Sequence, residues 1–369
     1  MRFSPSQSRL SLNFVMIDDL IQKLNFEGAD AYLILGADNR YYFSRKSVSS
    51  GAVVLTKNSR TYITDSRYET YLKEDPAGFE IVVAKRSEFY NAIAAELQKT
   101  SAKTVAFEDD ELTVAQFDAL KEAIPTVEFV QGSSAINALR AVKSEEEFGL
   151  IAEAQRITAQ AYEAGLDVLK HGVIEREVAA EIVYEMIRAG ADEAAFNPIV
   201  SFGAEAAKPH HAPGDTRLEK GMCVMIDIGA KFQGYCADMT RTVFYGEPDP
   251  ALVKIYGVVK EAQANILRYI RAGMSCHEAD SLAREYIKAE GYGAYFGHGS
   301  GHGVGVKIHE EPSLSPNTQT VLQKDMVVTV EPGIYVPEFG GVRIEDMARI
   351  TDGECVNLTN VRKDLQIVK

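Results

Sequence analysis

Short apolar runs rich in β-branched and aromatic residues recur through the first third of the chain, at Ala31–Leu35, Gly51–Thr56, Arg60–Asp65, Glu80–Ala84 and Thr104–Glu108. They alternate with turn residues and with helical periods at Ser87–Gln98 and Thr113–Ala123, a pattern that predicts an α/β domain with its own sheet. Met16 precedes an amphipathic stretch, Ile17-Asp-Asp-Leu-Ile-Gln-Lys-Leu24, which reads as the first helix. Residues 1–15 carry no apolar period and read as a disordered extension. Further on, Ser144 with Glu147 three residues later forms a capping box. The helix it opens places Phe148, Ile151, Ile157, Tyr162, Leu166 and Leu169 at helical spacing until Gly172. A second helix is predicted over Glu175–Ala189. The same pair recurs at Pro250–Ala272 and His277–Glu290, closed by Gly273 and Gly291. The organisation predicted is therefore an extension (1–15), a first domain (16–137) and a second domain (138–369).

The second domain is internally repeated. Leu218-Glu-Lys-Gly-Met-Cys-Val-Met-Ile-Asp227 aligns with Leu322-Gln-Lys-Asp-Met-Val-Val-Thr-Val-Glu331, each copy ending in a carboxylate with glycine two residues on. Upstream, His210-His-Ala-Pro213 matches His309-Glu-Glu-Pro312. Downstream, Gly234-Tyr-Cys-Ala-Asp238 matches Gly341-Val-Arg-Ile-Glu345. Each half supplies one histidine and two carboxylates in the same order, which suggests two related units facing each other across a site. The alignment selects His210 over its neighbour His211. Cys223–Gly229 reads as a buried strand ending near Asp227. Tyr235–Phe244 reads as the returning strand, with Asp238 on the face of Cys236, Thr240 and Thr242. Val327–Glu331 and Val342–Ile350 are the corresponding strands of the second half.

Composition narrows the function. The 369 residues are 46 % hydrophobic and 25 % charged, as in a globular protein of two domains. A net charge of −14 argues against a nucleic-acid partner. No apolar stretch is long enough to span a membrane. Cys223, Cys236, Cys276 and Cys355 show no metal-knuckle spacing and fit a reduced, cytoplasmic setting, with Cys236 best read as a buried thiol.

Phe296 to Pro312 holds His298, His302 and His309 among five glycines (297, 299, 301, 303, 305). Glycine at alternate positions disfavours a helix and lets a ligand approach the main chain. No register gives the dinucleotide pattern Gly-x-Gly-x-x-Gly, and Gly299 after His298 removes the base of a His-Glu-x-x-His site. A metal site on extended backbone remains, its other ligands drawn from the repeat. Four converging carboxylates repel one another, and two divalent cations would neutralise them. Carboxylate-dominated ligation leans towards Mn²⁺, with Co²⁺ or Zn²⁺ as alternatives.

Asp227, Asp238, His302, Glu331 and Glu345, in this order and with these flanks, resemble the ligand set of the pita-bread metallopeptidases. His298-Gly-x-Gly-His302, His309-Glu-x-x-Pro312, Glu331-Pro-Gly-Ile-Tyr335 and Gly341-Val-Arg-Ile-Glu-Asp346 are similar to the aminopeptidase P and prolidase branch. The resemblance implies an α/β (α+β) chain: a creatinase-type N-terminal α/β domain, then a pita-bread domain with an internal pseudo-two-fold repeat. It implies that Asp227 chelates one metal, that His302 and Glu331 bind the other, and that Asp238 and Glu345 bridge them. It further implies Glu331 as the base for the attacking water, and His210 and His309 as donors to the scissile carbonyl. His298 would line the pocket for the proline ring, and Arg343 would orient Glu345. The activity implied is hydrolysis of the Xaa-Pro bond at peptide N-termini, or of Xaa-Pro dipeptides alone, by a homodimer. Two other classes share the fold: a metal-free creatine hydrolase and a binding module without a working site. Five intact ligands disfavour both.

Overall fold

The computed structural model describes residues 18–26, 28–74 and 78–369. The expected extension (1–15) and the start of the first helix lie outside them; residues 18–23 are helical. The chain divides into two compact units, residues 1–139 and 140–369.

The first unit is built on a mixed six-stranded sheet of β1 (Ala31–Ile34), β2 (Ala52–Leu55), β3 (Arg60–Thr64), β4 (Glu80–Val83), β5 (Thr104–Phe107) and β6 (Glu128–Gln131), in the order β4-β3-β2-β1-β5-β6. The five predicted strands all form, and β6 is an addition. Leu33, Val54, Ile63 and Val105 pack beneath Ile93 and Leu97 of helix Phe89–Lys99 and Leu120 of helix Val114–Ala123. Helix Ala37–Ser44 was not expected from the sequence, and its own residues supply no side-chain cap. Its N-terminus is held by the fully buried Glu108, which accepts from Leu35 N at 2.5 Å, Gly36 N at 2.7 Å and Asn39 Nδ2 at 2.6 Å. An anion there satisfies the orphan amides of the first turn.

The second unit repeats one plan twice. In the first half, the Ser144–Glu147 capping box opens helix Glu145–Asp167, and Glu147 also accepts from Tyr235 Oη at 3.0 Å. This helix and Glu175–Arg188 cover the sheet of Ile199–Phe202, Cys223–Ile228 and Met239–Tyr245, to which Ile367–Val368 adds an edge. In the second half, helices Pro250–Tyr269 and Cys276–Ala289 cover a sheet centred on Gly301–Gly303, Val327–Val330 and Asp346–Arg349.

The returning strands differ from the expectation. Tyr235–Phe244 and Val342–Ile350 are not continuous: each is broken at its carboxylate. After Ile228 the chain makes a small hairpin, Ala230–Phe232 with Tyr235–Cys236, and rejoins the sheet at Met239. After Val330 it makes a second hairpin, Gly333–Val336 with Gly340–Arg343, and rejoins at Asp346. Asp238 and Glu345 occupy the two breaks. The reason is visible in the hydrogen bonding: Glu345 N donates to Thr240 O of the other half at 3.1 Å, and Cys236 N donates to Gly305 O at 2.8 Å. The backbone leaves its own sheet to pair across the repeat.

Candidate metal centre

Asp227 lies near the end of strand Cys223–Ile228, and Glu331 directly follows Val327–Val330. Asp238 and Glu345 sit at the strand breaks, and His302 on the short strand Gly301–Gly303. Ligand atoms of Asp238, His302 and Glu345 all fall within 4.8 Å of one another. His302 Nε2 is 3.6 Å from Asp238 Oδ2 and 3.4 Å from Glu331 Oε1. Its other nitrogen, Nδ1, donates to Gly303 O at 3.0 Å, so the lone pair of Nε2 faces the carboxylates.

Burial, reinforced by Glu345 and the other acids, pushes the Asp238 carboxyl well above the usual range. Burial does the same to Glu345, together with repulsion from Glu331 and Asp227, and it raises Glu331 more modestly. Asp227 Oδ1 is buried and accepts no hydrogen bond among the described residues. A buried oxygen without a donor is costly. Carboxylates forced together, an imidazole lone pair aimed at them and an orphaned oxygen are the features a cation would complete. The residues present therefore fit a divalent metal centre.

Arg343 departs from its expected partner. Its Nη2 donates to Asp227 Oδ2 at 2.5 Å, and its Nε donates to Thr240 Oγ1 at 3.0 Å. Glu345 is reached only indirectly, through Thr240 Oγ1, which donates to Glu345 Oε2 at 2.6 Å. Thr240 and Tyr335 support the site without having been expected there, although Thr240 shares the predicted strand face of Asp238 and Tyr335 closes the Glu331-Pro-Gly-Ile-Tyr motif. Tyr335 Oη accepts from Arg343 Nη1 at 2.8 Å and lies 2.8 Å from His298 Nε2. Burial pushes the Tyr335 hydroxyl up to about 12, so it stays protonated and donates to His298. His298 Nδ1 donates to Gly299 O at 2.7 Å. Both of its ring nitrogens are therefore occupied, and burial holds its pKa below the usual value. His298 offers a neutral ring and no free donor.

His309 is exposed on one side, and its ring lies 4.4 Å from that of His302, centroid to centroid. His210 is near enough to influence both His298 and His309 electrostatically, and the adjacent Pro209 O accepts from Arg343 Nη1 at 3.4 Å. His211 is engaged elsewhere, with Nε2 2.8 Å from Glu175 Oε2 and Nδ1 3.2 Å from Glu205 Oε2. Cys236 is a buried thiol directed at Val306 O.

Residues 149–352 match metallopeptidase family M24, and residues 16–142 match the creatinase/prolidase N-terminal domain. The chain belongs to metallopeptidase family M24. It is 37 % identical to the Xaa-Pro dipeptidase of Pyrococcus horikoshii, over 95 % of this chain and 98 % of that relative. Among solved structures, the Xaa-Pro dipeptidase from Bacillus anthracis superposes with a TM-score of 0.91 at 37 % identity, over 96 % of this chain and 99 % of that one. The X-Pro aminopeptidase from Thermotoga maritima gives 0.87 at 34 % identity, over 92 % and 98 %. The M24 member thus combines a creatinase-type first domain with a pita-bread second domain. Among its described residues, no helix is long and apolar enough to cross a membrane.

Proposed function

We propose that this M24 protein is a dinuclear metallopeptidase that hydrolyses the bond between an N-terminal residue and proline in peptides. Restriction to Xaa-Pro dipeptides is the second reading, favoured by the relatives named Xaa-Pro dipeptidase. The observation that carries the metallopeptidase reading is the convergence of Asp238, His302 and Glu345, with Glu331 Oε1 3.4 Å from His302 Nε2 and the buried Asp227 Oδ1 left without a donor among the described residues. These five residues would hold two divalent ions, Mn²⁺ first, with Co²⁺ or Zn²⁺ as alternatives. When bound, such ions polarise the scissile carbonyl and make the attacking water more acidic.

The remaining work falls to side chains. Glu331 takes the proton of the attacking water; burial raises its basicity, and Thr329 Oγ1, 3.2 Å from Oε1, sets its orientation. His210 and His309 donate to the carbonyl oxygen as it becomes an oxyanion. His298, with both nitrogens occupied, packs its ring against proline. Arg343 holds Asp227 and, through Thr240, Glu345.

Proline lacks an N–H. An ordinary amide placed against His298, whose ring nitrogens are both occupied, would bury its N–H unpaired, at a cost of about 1–3 kcal/mol, or roughly one to two decades in rate. The test compares kcat/KM for Ala-Pro, Ala-Pro-Ala and Ala-Ala-Ala with Mn²⁺ present. Cleavage of both proline peptides supports the aminopeptidase reading, and cleavage of Ala-Pro alone supports the dipeptidase. Equal values for Ala-Pro-Ala and Ala-Ala-Ala refute proline specificity. The four free cysteines support a reducing, cytoplasmic setting. A homodimer completes the reading, to be checked by sedimentation.

A further inference from the structure

The segment that carries His298 cannot hold its own shape. Glycines flank that histidine on both sides, and Gly301 passes so close to its neighbour that an added Cβ would lie 2.0 Å from Thr329 O. Something outside the segment must fix it. The structure places one ion pair there, on the outer side of the loop. Asp280, on helix Cys276–Ala289, is completely buried and receives four donors. Arg284 Nε and Nη2 reach it at 2.6 and 2.8 Å, and Ser300 N and Oγ at 3.0 and 2.7 Å. Arg284, one helical turn on, also donates Nη2 to His298 O at 2.6 Å and Nη1 to Phe296 O at 3.3 Å. Its guanidinium lies 4.4 Å from the centroid of the Phe296 ring.

Residues 296, 298 and 300 are therefore stitched to the helix, while a Cβ on Gly297 would meet nothing within 4 Å and one on Gly299 would lie 2.7 Å from Leu314 O. The imidazole of His298 is then bracketed edge-on by Phe296, at 5.1 Å between centroids, and by Tyr335 Oη. We propose that Asp280 and Arg284 are positioning residues for the substrate pocket: the pair fixes the main chain at His298 so that its ring presents a set surface to the proline of the substrate. This rests on the Xaa-Pro reading of the site. The bond pattern separates it from mere helix stabilisation. An (i, i+4) pair on a helix needs no third partner, whereas here the guanidinium makes two further bonds to the loop and Asp280 accepts two bonds from Ser300.

Two variants of the full-length, Mn²⁺-loaded protein test it. Asp280 is avoided because its removal would strand buried donors; Arg284→Met keeps the aliphatic stem, and Arg284→Lys restores part of the donor set. A pocket wall binds ground state and transition state alike, so Arg284→Met is expected to raise KM for Ala-Pro about tenfold with kcat changed less than about threefold. Arg284→Lys should recover part of that loss. In a His298→Ala background, the same Arg284→Met change should cost less than about threefold, because residues acting through one another are not additive. An equal factor in both backgrounds, or a wild-type KM in Arg284→Met, overturns the proposal. A readout independent of turnover is hydrogen exchange of the peptide covering residues 296–302. Arg284→Met should speed its exchange at least about tenfold with the sheet peptides unchanged. Unaltered protection overturns the pinning whatever the substrate proves to be, while accelerated exchange in a protein that ignores Ala-Pro leaves the pin standing and removes the Xaa-Pro reading.

Discussion

Arg343 Nη2 donates to Asp227 Oδ2 at 2.5 Å, and Oδ1 of the same carboxylate accepts nothing among the described residues. One oxygen is spent on orientation, and the other is left for a ligand. Arg343→Lys removes the forked geometry that also reaches Thr240 and Tyr335. It is expected to weaken Mn²⁺ binding by about 10–100-fold, the usual effect of losing an outer-shell partner. Calorimetric titration measures this directly, and an unchanged affinity would show that Asp227 orients itself.

Thr240 offers a milder version of the same test. Thr240→Val keeps shape and removes the hydroxyl that links Arg343 to Glu345. Metal affinity should fall by less than in Arg343→Lys, and the double variant should fall no further than Arg343→Lys alone, within about 0.5 kcal/mol.

Metal removal should reverse the protein's response to pH. In the metal-free protein, burial raises Asp238, Glu345 and Glu331 above the values they have in the unfolded chain. The folded state then holds more protons than the unfolded one above pH ~4, so stability falls as pH rises through the raised pKa values. Bound metal replaces those protons, and its hold strengthens with pH. The gap in melting temperature between Mn²⁺-loaded and chelated protein should therefore widen from pH 5 to pH 8. A constant gap would mean that these acids do not ligate the ion.

His210 and His211 should separate cleanly. His210→Ala is expected to keep its metal and lose about 10²–10³ in kcat, as when an oxyanion donor is removed. His211→Ala should instead lower the melting temperature and leave kcat near wild type, because both nitrogens of His211 face carboxylates away from the cluster. Reversed phenotypes would overturn the assignment made from the repeat.

What could be read from sequence was what local pattern encodes. Five of the six strands of the first sheet, the capping box at Ser144 and the order of the site acids are periodic or repeated, so residue spacing exposes them. Helix Ala37–Ser44 escaped because its cap, Glu108, comes from a distant strand end. The breaks at Asp238 and Glu345 escaped because their partners lie in the opposite half, and a strand pattern does not show which strand it pairs with. Asp280 and Arg284 were not singled out, because opposite charges four apart in a helix say nothing of a third partner; only the fold shows the loop they grip.

The donors that hold the acids are remote in sequence: Thr240 and Glu345 are 105 residues apart, and Asp227 and Arg343 are 116 apart. Contacts that close such long loops form late, after each half has gathered its own helices and strands. We expect, then, that the acids of the two halves stay apart during folding and meet their mutual repulsion only as the last contacts close. The repulsion falls on the native side of the barrier. Removing one acid should slow unfolding of the metal-free chain and leave refolding nearly untouched, and an ion that neutralises them should do the same. A chain built this way acquires its charge problem and its solution together, at the end.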